Sequence, residues 1–156
     1  MRTIILVLAA ALAAAPLVVS PAEASEKTDV IATVKQYVSS FNKRDKDAMD
    51  AACVPQASII DEFPPHAWQG ATACADWQND YETFVKNHGI TDVDRSFREP
   101  SHIEITGDRA YVVMPTILTY KQHGKPDTEA GAVWTFALQK VSAGWRITGW
   151  AWAEGH

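Results

Sequence analysis

The order of residue patterns along the chain limits the folds that it can adopt. Apolar residues recur at helical spacing in three segments before residue 90, and most of the remaining chain is rich in β-branched and aromatic residues. Short turn-forming groups such as Gly107-Asp108 and Ser142-Ala143-Gly144 separate these later segments, which is typical of consecutive antiparallel strands. Helices followed by such strands predict an α+β fold, with the helices packed on one face of the sheet.

The limits of these elements can be read from breaker residues. The predicted helices span residues 28–42, 46–53 and 72–88, and the predicted strands span residues 57–61, 102–106, 110–121, 129–139 and 145–153. Pro55 ends the second helix and Gly89 ends the third, because proline cannot continue a helix and glycine favours its C-terminal stop. Residues 62–70, which contain Pro64-Pro65, are predicted to be irregular.

The first 24 residues have the pattern of a secretory signal peptide. Arg2 precedes an apolar, alanine-rich run at residues 4–19, and Ala22-Glu23-Ala24 supplies a small-x-small cleavage site. We expect cleavage after Ala24, which leaves one domain over residues 25–156 in the periplasm or outside the cell, without membrane association. The alternative is a retained N-terminal anchor.

Charge and motif content narrow the possible partners. The formal net charge is -5 with no run of like charges, which argues against nucleic acid, whose affinity comes largely from Lys and Arg. The sequence has no His-x-x-x-His spacing and no glycine-rich phosphate loop. We therefore expect neither a metal nor another cofactor.

Two cysteines, Cys53 and Cys74, follow the predicted cleavage site. In an exported protein an even pair predicts a disulfide, and closing a loop of this length contributes about 3 kcal/mol on the chain-entropy model. Two alternatives stay open, a pair of buried thiols and a metal site, although neither cysteine lies in a Cys-x-x-Cys or Cys/His cluster.

The last predicted strand has two different faces. Strict alternation places Trp150 and Trp152 on the face opposite to Trp145 and Ile147. If the helices cover Trp145 and Ile147, the other two indoles lie on the outer face and need cover of their own. We therefore expect a homodimer through Trp150 and Trp152; the alternative is that strand twist and Arg146 cover them within the monomer.

Three stretches carry a family resemblance: Tyr-Val-Ser-Ser-Phe-Asn-Lys-Arg-Asp at 37–45, Ala-Ser-Ile-Ile-Asp at 57–61 and Gly-Trp-Arg-Ile at 144–147. In this order they resemble the nuclear transport factor two-like superfamily, which includes ketosteroid isomerases and SnoaL-like polyketide cyclases. The resemblance covers nearly all of residues 28–153. It implies a cone-shaped fold, in which three N-terminal helices pack on a curved antiparallel sheet and enclose a pocket.

The resemblance also implies a pair of catalytic residues. Asp61 matches the general base of the isomerases, and Tyr37 matches the phenol that stabilises the enolate; such chemistry needs a carboxylate and an O–H donor of this kind. The second acid of the isomerases has no match, because residues 130–137 contain no carboxyl group. Losing one such donor typically costs about 100 to 1000-fold in rate. The structural alternatives are a core tyrosine and a solvated or helix-capping aspartate.

Six aromatic residues are expected to line the pocket: Phe41, Phe63, Trp68, Trp77, Tyr81 and Trp134. Residues 62–68 form a longer loop than in the isomerases and are expected to cap the pocket mouth. Three functions are compatible with the sequence, and whether the protein is an enzyme stays open. They are an exported protein that binds a small apolar or amphipathic molecule, an isomerase, cyclase or dehydratase using Asp61 and Tyr37, and a dimeric interaction module with a vestigial pocket.

Overall fold

The computed structural model describes residues 21–155. It contains α1 (Pro21–Lys43), α2 (Lys46–Ala52), β1 (Cys53–Ile60), β2 (Ala67–Gly70), α3 (Ala73–Asn87), β3 (Ile90–Phe97), β4 (His102–Thr106), β5 (Arg109–Gln122), β6 (Lys125–Val141) and β7 (Gly144–Ala153). Most of the predicted signal peptide lies outside the described residues, and α1 runs through the predicted cleavage site at Ala24. Within residues 21–155, no helix is both long enough and apolar enough to cross a membrane.

The seven strands form one mixed sheet. Its order is β2-β1-β7-β6-β5-β3, and β4 pairs with the first half of β5, beside the second half that pairs with β3. Every pair is antiparallel except β1 and β7, which run parallel. The predicted α+β fold is confirmed, but the sheet is not wholly antiparallel. No tight turn joins β1 to β7, so nothing local imposes antiparallel pairing on them.

The sequence analysis missed two strands. It predicted no strand over β3, whose residues Ile-Thr-Asp-Val-Asp-Arg-Ser-Phe lack a clear apolar alternation. The pairing of β3 with β5 also slips between Thr91 and Asp94, around the positive φ of Asp92. The second missed strand, β2, lies in the stretch predicted to be irregular and pairs with β1.

A one-residue bulge interrupts β7. Ala137 of β6 pairs with Gly149, but the next residue, Leu138, pairs with Ile147. Thr148 is therefore the extra residue that characterises a β-bulge. Because side chains alternate along a strand, one extra residue reverses the faces of everything that follows it.

The bulge turns Trp150 and Trp152 inward. They lie on the same side of the sheet as Trp145, and all three are buried. The indole N–H of Trp150 donates a hydrogen bond to the hydroxyl of Tyr37 in α1. The expectation that Trp150 and Trp152 lie on the outer face was therefore wrong. Homodimerisation stays a prediction, without these two residues as its basis.

Gly149 lets β1 approach β7 closely. A Cβ atom at this position would lie 2.3 Å from the carbonyl oxygen of Ser58 in β1. Only glycine fits this contact without a backbone shift. The space beside Gly149 is thus filled by the backbone of β1.

The helices pack on the inner face of the sheet over a core rich in aromatic side chains. A disulfide joins Cys53, at the start of β1, to Cys74, in the first turn of α3. The predicted disulfide is therefore present, and it fastens the start of α3 to the strand that leads to Asp61.

Candidate functional site

Asp61 follows directly after β1, and its side chain is buried. Its Oδ2 accepts a hydrogen bond of 2.8 Å from the indole N–H of Trp77, and its Oδ1 accepts one of 2.7 Å from the backbone N–H of Glu62. Burial raises the pKa of Asp61, while these two hydrogen bonds and the charge of Arg95 act in the opposite direction. The result is a desolvated carboxyl group that is held in a fixed orientation.

A cavity of about 180 Å³ lies against Asp61. Its apolar wall includes Phe63, Tyr81, Phe84 and Leu118, and its charged groups are Asp61, Glu62, Arg95, Glu129, and Glu154. Aromatic walls with a few converging polar groups are the usual form of a small-molecule site. We call this space the Asp61 cavity.

A second cavity of about 400 Å³ lies between α2, α3 and β3. It shares Tyr81, Val85, Ile90 and Val93 with the Asp61 cavity, but Asp61 and Tyr37 do not line it. Its wall is mostly apolar, and the buried amide of Gln78 has no hydrogen-bond partner within residues 21–155. Charged side chains also line this larger space, namely Arg44, Lys46, Glu82 and Lys86. The Asp61 cavity differs because two of its charged residues, Asp61 and Arg95, are buried.

Tyr37 lies deeper in the core than the resemblance implied. Its side chain is completely buried, its hydroxyl accepts a hydrogen bond of 3.1 Å from Trp150, and its ring packs edge to face against Trp134 and Phe136. Burial raises the pKa of the Tyr37 phenol far above its ordinary value. Tyr37 lines neither of the two cavities.

Two indoles connect Tyr37 and Asp61. The ring of Trp77, which donates to Asp61, meets the ring of Trp150 edge to face with 4.7 Å between centroids. Trp150 in turn donates to Tyr37. The structure thus places the two predicted catalytic residues in one interior network, in which each polar group is paired with an indole N–H.

Arg95 is the main site residue that the sequence analysis missed. It projects from β3 and is only 5% exposed. Its guanidinium carbon lies 3.8 Å from the centroid of the Phe41 ring and 5.1 Å from those of Tyr81, Trp134 and Trp152. Within the described chain, its Nε and Nη1 atoms have no hydrogen-bond partner. Arginine is normally a surface residue, so its type gave no signal for this position.

A row of side chains crosses three strands beside the cavity. Arg95 of β3 pairs with Leu118 of β5, and Leu118 pairs with Glu129 of β6. Glu129 faces the cavity because Gly131, with φ of 115°, is an extra residue between the pairs made by Ala130 and Ala132. The stretch 130–137 contains no acid, but the bulge at Gly131 turns Glu129, the residue just before this stretch, toward the cavity.

Carboxyl groups form the rim of the Asp61 cavity. Partial burial, followed by the charges of Glu129, Asp61 and Glu154, raises the pKa of Glu62 to about 7. Burial and the charge of Glu154 raise the pKa of Glu129, against a hydrogen bond from the backbone N–H of Gly155. The carboxyl groups of Glu62 and Glu129 therefore keep a proton to higher pH than ordinary surface carboxyl groups do.

The six aromatic residues predicted to line a pocket have different positions. Phe41, Trp77 and Tyr81 line the larger cavity, and Phe63 and Tyr81 line the Asp61 cavity. Trp68 and Trp134 are buried and line neither cavity. Trp134 instead contributes to the aromatic surroundings of Arg95.

Solved structures with the same architecture are numerous. A ketosteroid isomerase-like protein from Erwinia carotovora atroseptica shares 20% identity over 83% of this chain and 95% of its own, with a TM-score of 0.66. A nuclear transport factor 2-like superfamily protein from Salmonella enterica serovar Typhimurium shares 15% identity over 85% of this chain and 93% of its own, with a TM-score of 0.69. A protein of unknown function from Mycobacterium tuberculosis shares 14% identity over 88% of this chain and 77% of its own, with a TM-score of 0.70.

Sequence comparison identifies the family. No curated protein sequence matches the chain. The model of the SnoaL-like domain matches residues 30–151, which include every strand and helix that lines the site. The chain therefore belongs to the SnoaL-like domain family and has the α+β cone fold of the nuclear transport factor two-like superfamily.

Proposed function

We propose that this chain is an exported protein that binds a small molecule in the Asp61 cavity. The observation that carries the proposal is the convergence of a buried carboxyl group, Asp61, and a buried guanidinium, Arg95, on one aromatic-walled cavity. Burying charged groups costs free energy unless they are compensated. Charged groups retained beside a cavity are therefore candidates for ligand contacts.

The size of the cavity limits the ligand. Its volume of about 180 Å³ lies below the range of about 300–1,000 Å³ that is common for drug-sized ligands. A molecule with a single ring and one polar group fits such a space. Its apolar body would contact Phe63, Tyr81 and Leu118.

Export is supported by two features. Residues 1–24 have the pattern of a signal peptide, and the Cys53–Cys74 disulfide is a cross-link that persists in oxidising compartments. The periplasm or the cell exterior is thus the proposed location.

Acid–base catalysis by Asp61 is a second candidate. The raised pKa of this carboxyl group favours it as a proton acceptor or donor at neutral pH. Tyr37 is not positioned as its partner, because its side chain does not line the cavity, although its hydroxyl accepts a hydrogen bond from Trp150 and keeps its own O–H as a donor. Any reaction would therefore depend on Asp61 without the oxyanion donor that the isomerase resemblance implied.

Chemical-shift mapping with a library of small aromatic and aliphatic compounds tests the binding proposal. We expect shifts to cluster at Phe63, Tyr81 and Leu118, and we expect Asp61→Asn to change the ligand affinity severalfold, because Asp61 lines the cavity. Tyr37→Phe is the matched control, because it alters a buried group of the same network that lies outside the cavity. Shifts clustered at Gln78 and Lys86 would assign the ligand to the larger cavity and contradict the proposal.

A further inference from the structure

We propose that Arg95 binds the anionic group of the ligand, so that the Asp61 cavity selects small molecules that carry a carboxylate. This inference rests on the proposed function and adds the chemical class of the ligand. Arg95 lines the cavity and is 5% exposed.

The hydrogen-bonding state of Arg95 is the first argument. In residues 21–155, nothing accepts a hydrogen bond from its Nε or Nη1 atoms, although both are buried. A buried charge that has no hydrogen-bond acceptor costs free energy, because nothing replaces the interactions that it would make with water. A ligand anion is the partner that would compensate it.

The surroundings of the guanidinium explain how it stays in place without such a partner. The rings of Phe41, Tyr81, Trp134 and Trp152 surround it at 3.8 to 5.1 Å from the guanidinium carbon to each centroid. Cation–π attraction stabilises the charge modestly, but a ring supplies no lone pair in the plane of the N–H groups. The aromatic rings therefore fix the orientation of Arg95, while its Nε and Nη1 atoms have no acceptor within residues 21–155.

Within residues 21–155, no carboxyl group accepts a hydrogen bond from the Nε or Nη1 atom of Arg95. Both oxygens of Asp61 accept hydrogen bonds, from Trp77 and from the backbone N–H of Glu62. Glu129 is separated from Arg95 by Leu118 on the strand between them. It accepts a hydrogen bond from the backbone N–H of Gly155. Neither acid is the missing partner of the guanidinium.

The shape of the donor group indicates the class of anion. The guanidinium is a planar fork that binds a carboxylate through two parallel hydrogen bonds. The apolar wall of Phe63, Phe84 and Leu118 suits the body of a small aromatic or alicyclic acid. A metal cation is a poor alternative, because the described chain brings no three His, Cys, Asp or Glu side chains into a metal-binding arrangement.

Three isosteric probes test this assignment: benzoate, neutral benzamide and cationic benzylamine. Binding is measured by isothermal titration calorimetry and by NMR chemical shifts at pH 6. We expect the wild-type protein to bind benzoate at least tenfold more tightly than benzamide. Arg95→Met should abolish this preference, and Arg95→Lys should keep part of it, because lysine keeps the charge but not the fork.

Arg98→Met is the matched control, because Arg98 is an exposed arginine just after β3 and lines neither cavity. The unfolding midpoint of each variant is measured, and Arg95→Lys carries the test if Arg95→Met does not fold. A preference for benzoate over benzamide that is unchanged from the wild type in either folded variant overturns the assignment.

Two further outcomes separate this inference from the proposed function. If benzamide or benzylamine binds in the Asp61 cavity as tightly as benzoate, carboxylate selection is wrong while the binding function stands. If no probe binds there and the library also gives no shifts, both proposals fail.

Discussion

The indole nitrogen of Trp77 donates a hydrogen bond of 2.8 Å to Oδ2 of Asp61. This bond joins α3 to the end of β1 at the floor of the Asp61 cavity. Since the carboxyl group is buried, few other donors can replace it. Trp77 therefore helps to orient Asp61, and its hydrogen bond lowers the pKa of this carboxyl group against the larger effect of burial.

Replacing Trp77 with phenylalanine tests this effect. The lost donor should raise the pKa of Asp61 further and lower the free energy of unfolding by about 1–3 kcal/mol. Trp68→Phe is the control, because its indole N–H donates to Asp80 instead. Carbon-13 NMR titration of the Asp61 carboxyl group measures the effect; an unchanged pKa in Trp77→Phe would contradict it.

The disulfide should contribute a large part of the stability of the domain. Cys53 and Cys74 are 21 residues apart, so replacing both with serine should lower the free energy of unfolding by about 3 kcal/mol. Denaturant unfolding of the variant measures the loss. The wild-type protein unfolded with a reductant present should match the variant, and equal stability with and without the disulfide would refute the estimate.

Gly149→Ala should destabilise the pairing of β1 with β7. The added methyl group would lie 2.3 Å from the carbonyl oxygen of Ser58, and overpacking of this kind typically costs about 1–3 kcal/mol. Thermal unfolding measures the change. Gly107→Ala is the comparison for backbone strain without a steric clash. Gly107 has φ of +61°, but no atom lies within 4 Å of the new Cβ atom. The prediction fails if Gly149→Ala is no less stable than the wild type.

Stability should fall as the pH rises toward 7. The folded protein holds a proton on Glu62 up to a pKa of about 7, whereas an unfolded glutamate loses it near its ordinary pKa of about 4.3. Between these two values the native state binds more protons, so the free energy of unfolding decreases with pH and then levels off above 7. The raised pKa values of Asp61 and Glu129 act in the same direction.

Chemical denaturation at a series of pH values measures this slope. Glu62→Gln should reduce it, because the amide does not titrate. Glu99→Gln, at an exposed position that lines neither cavity, should leave it unchanged. A slope that is the same in both variants would show that Glu62 does not contribute.

Local patterns were sufficient to predict much of the fold. The three helices, the long antiparallel strands and the disulfide followed from helical periodicity, β-branched runs and cysteine count. A core position for Tyr37 was the structural alternative to its predicted catalytic role, and the side chain is buried. These features depend on spacing within one element, which the sequence displays directly.

The site itself depends on register, which local patterns do not show. Each of the three inward-facing residues lies beside an irregular point in its strand. Arg95 follows residues 91–94, Trp150 follows residue 148, and Glu129 precedes residue 131. Each extra residue changes which side chains face the interior. The burial of Arg95 also depends on rings from α1, α3, β6 and β7, which come together only in the folded chain.

The glycine bulge at residue 131 has a consequence for how ligand preference can diverge among relatives. A relative that lacks this one residue would direct the neighbour of Glu129 toward the cavity and expose the acid to solvent. Single-residue insertions and deletions within strands thus provide a way to exchange the polar groups of the binding site while the backbone scaffold is retained. At identities of 20% or less, counterparts of Glu129 are better identified by the strand pair they occupy than by matching amino-acid letters.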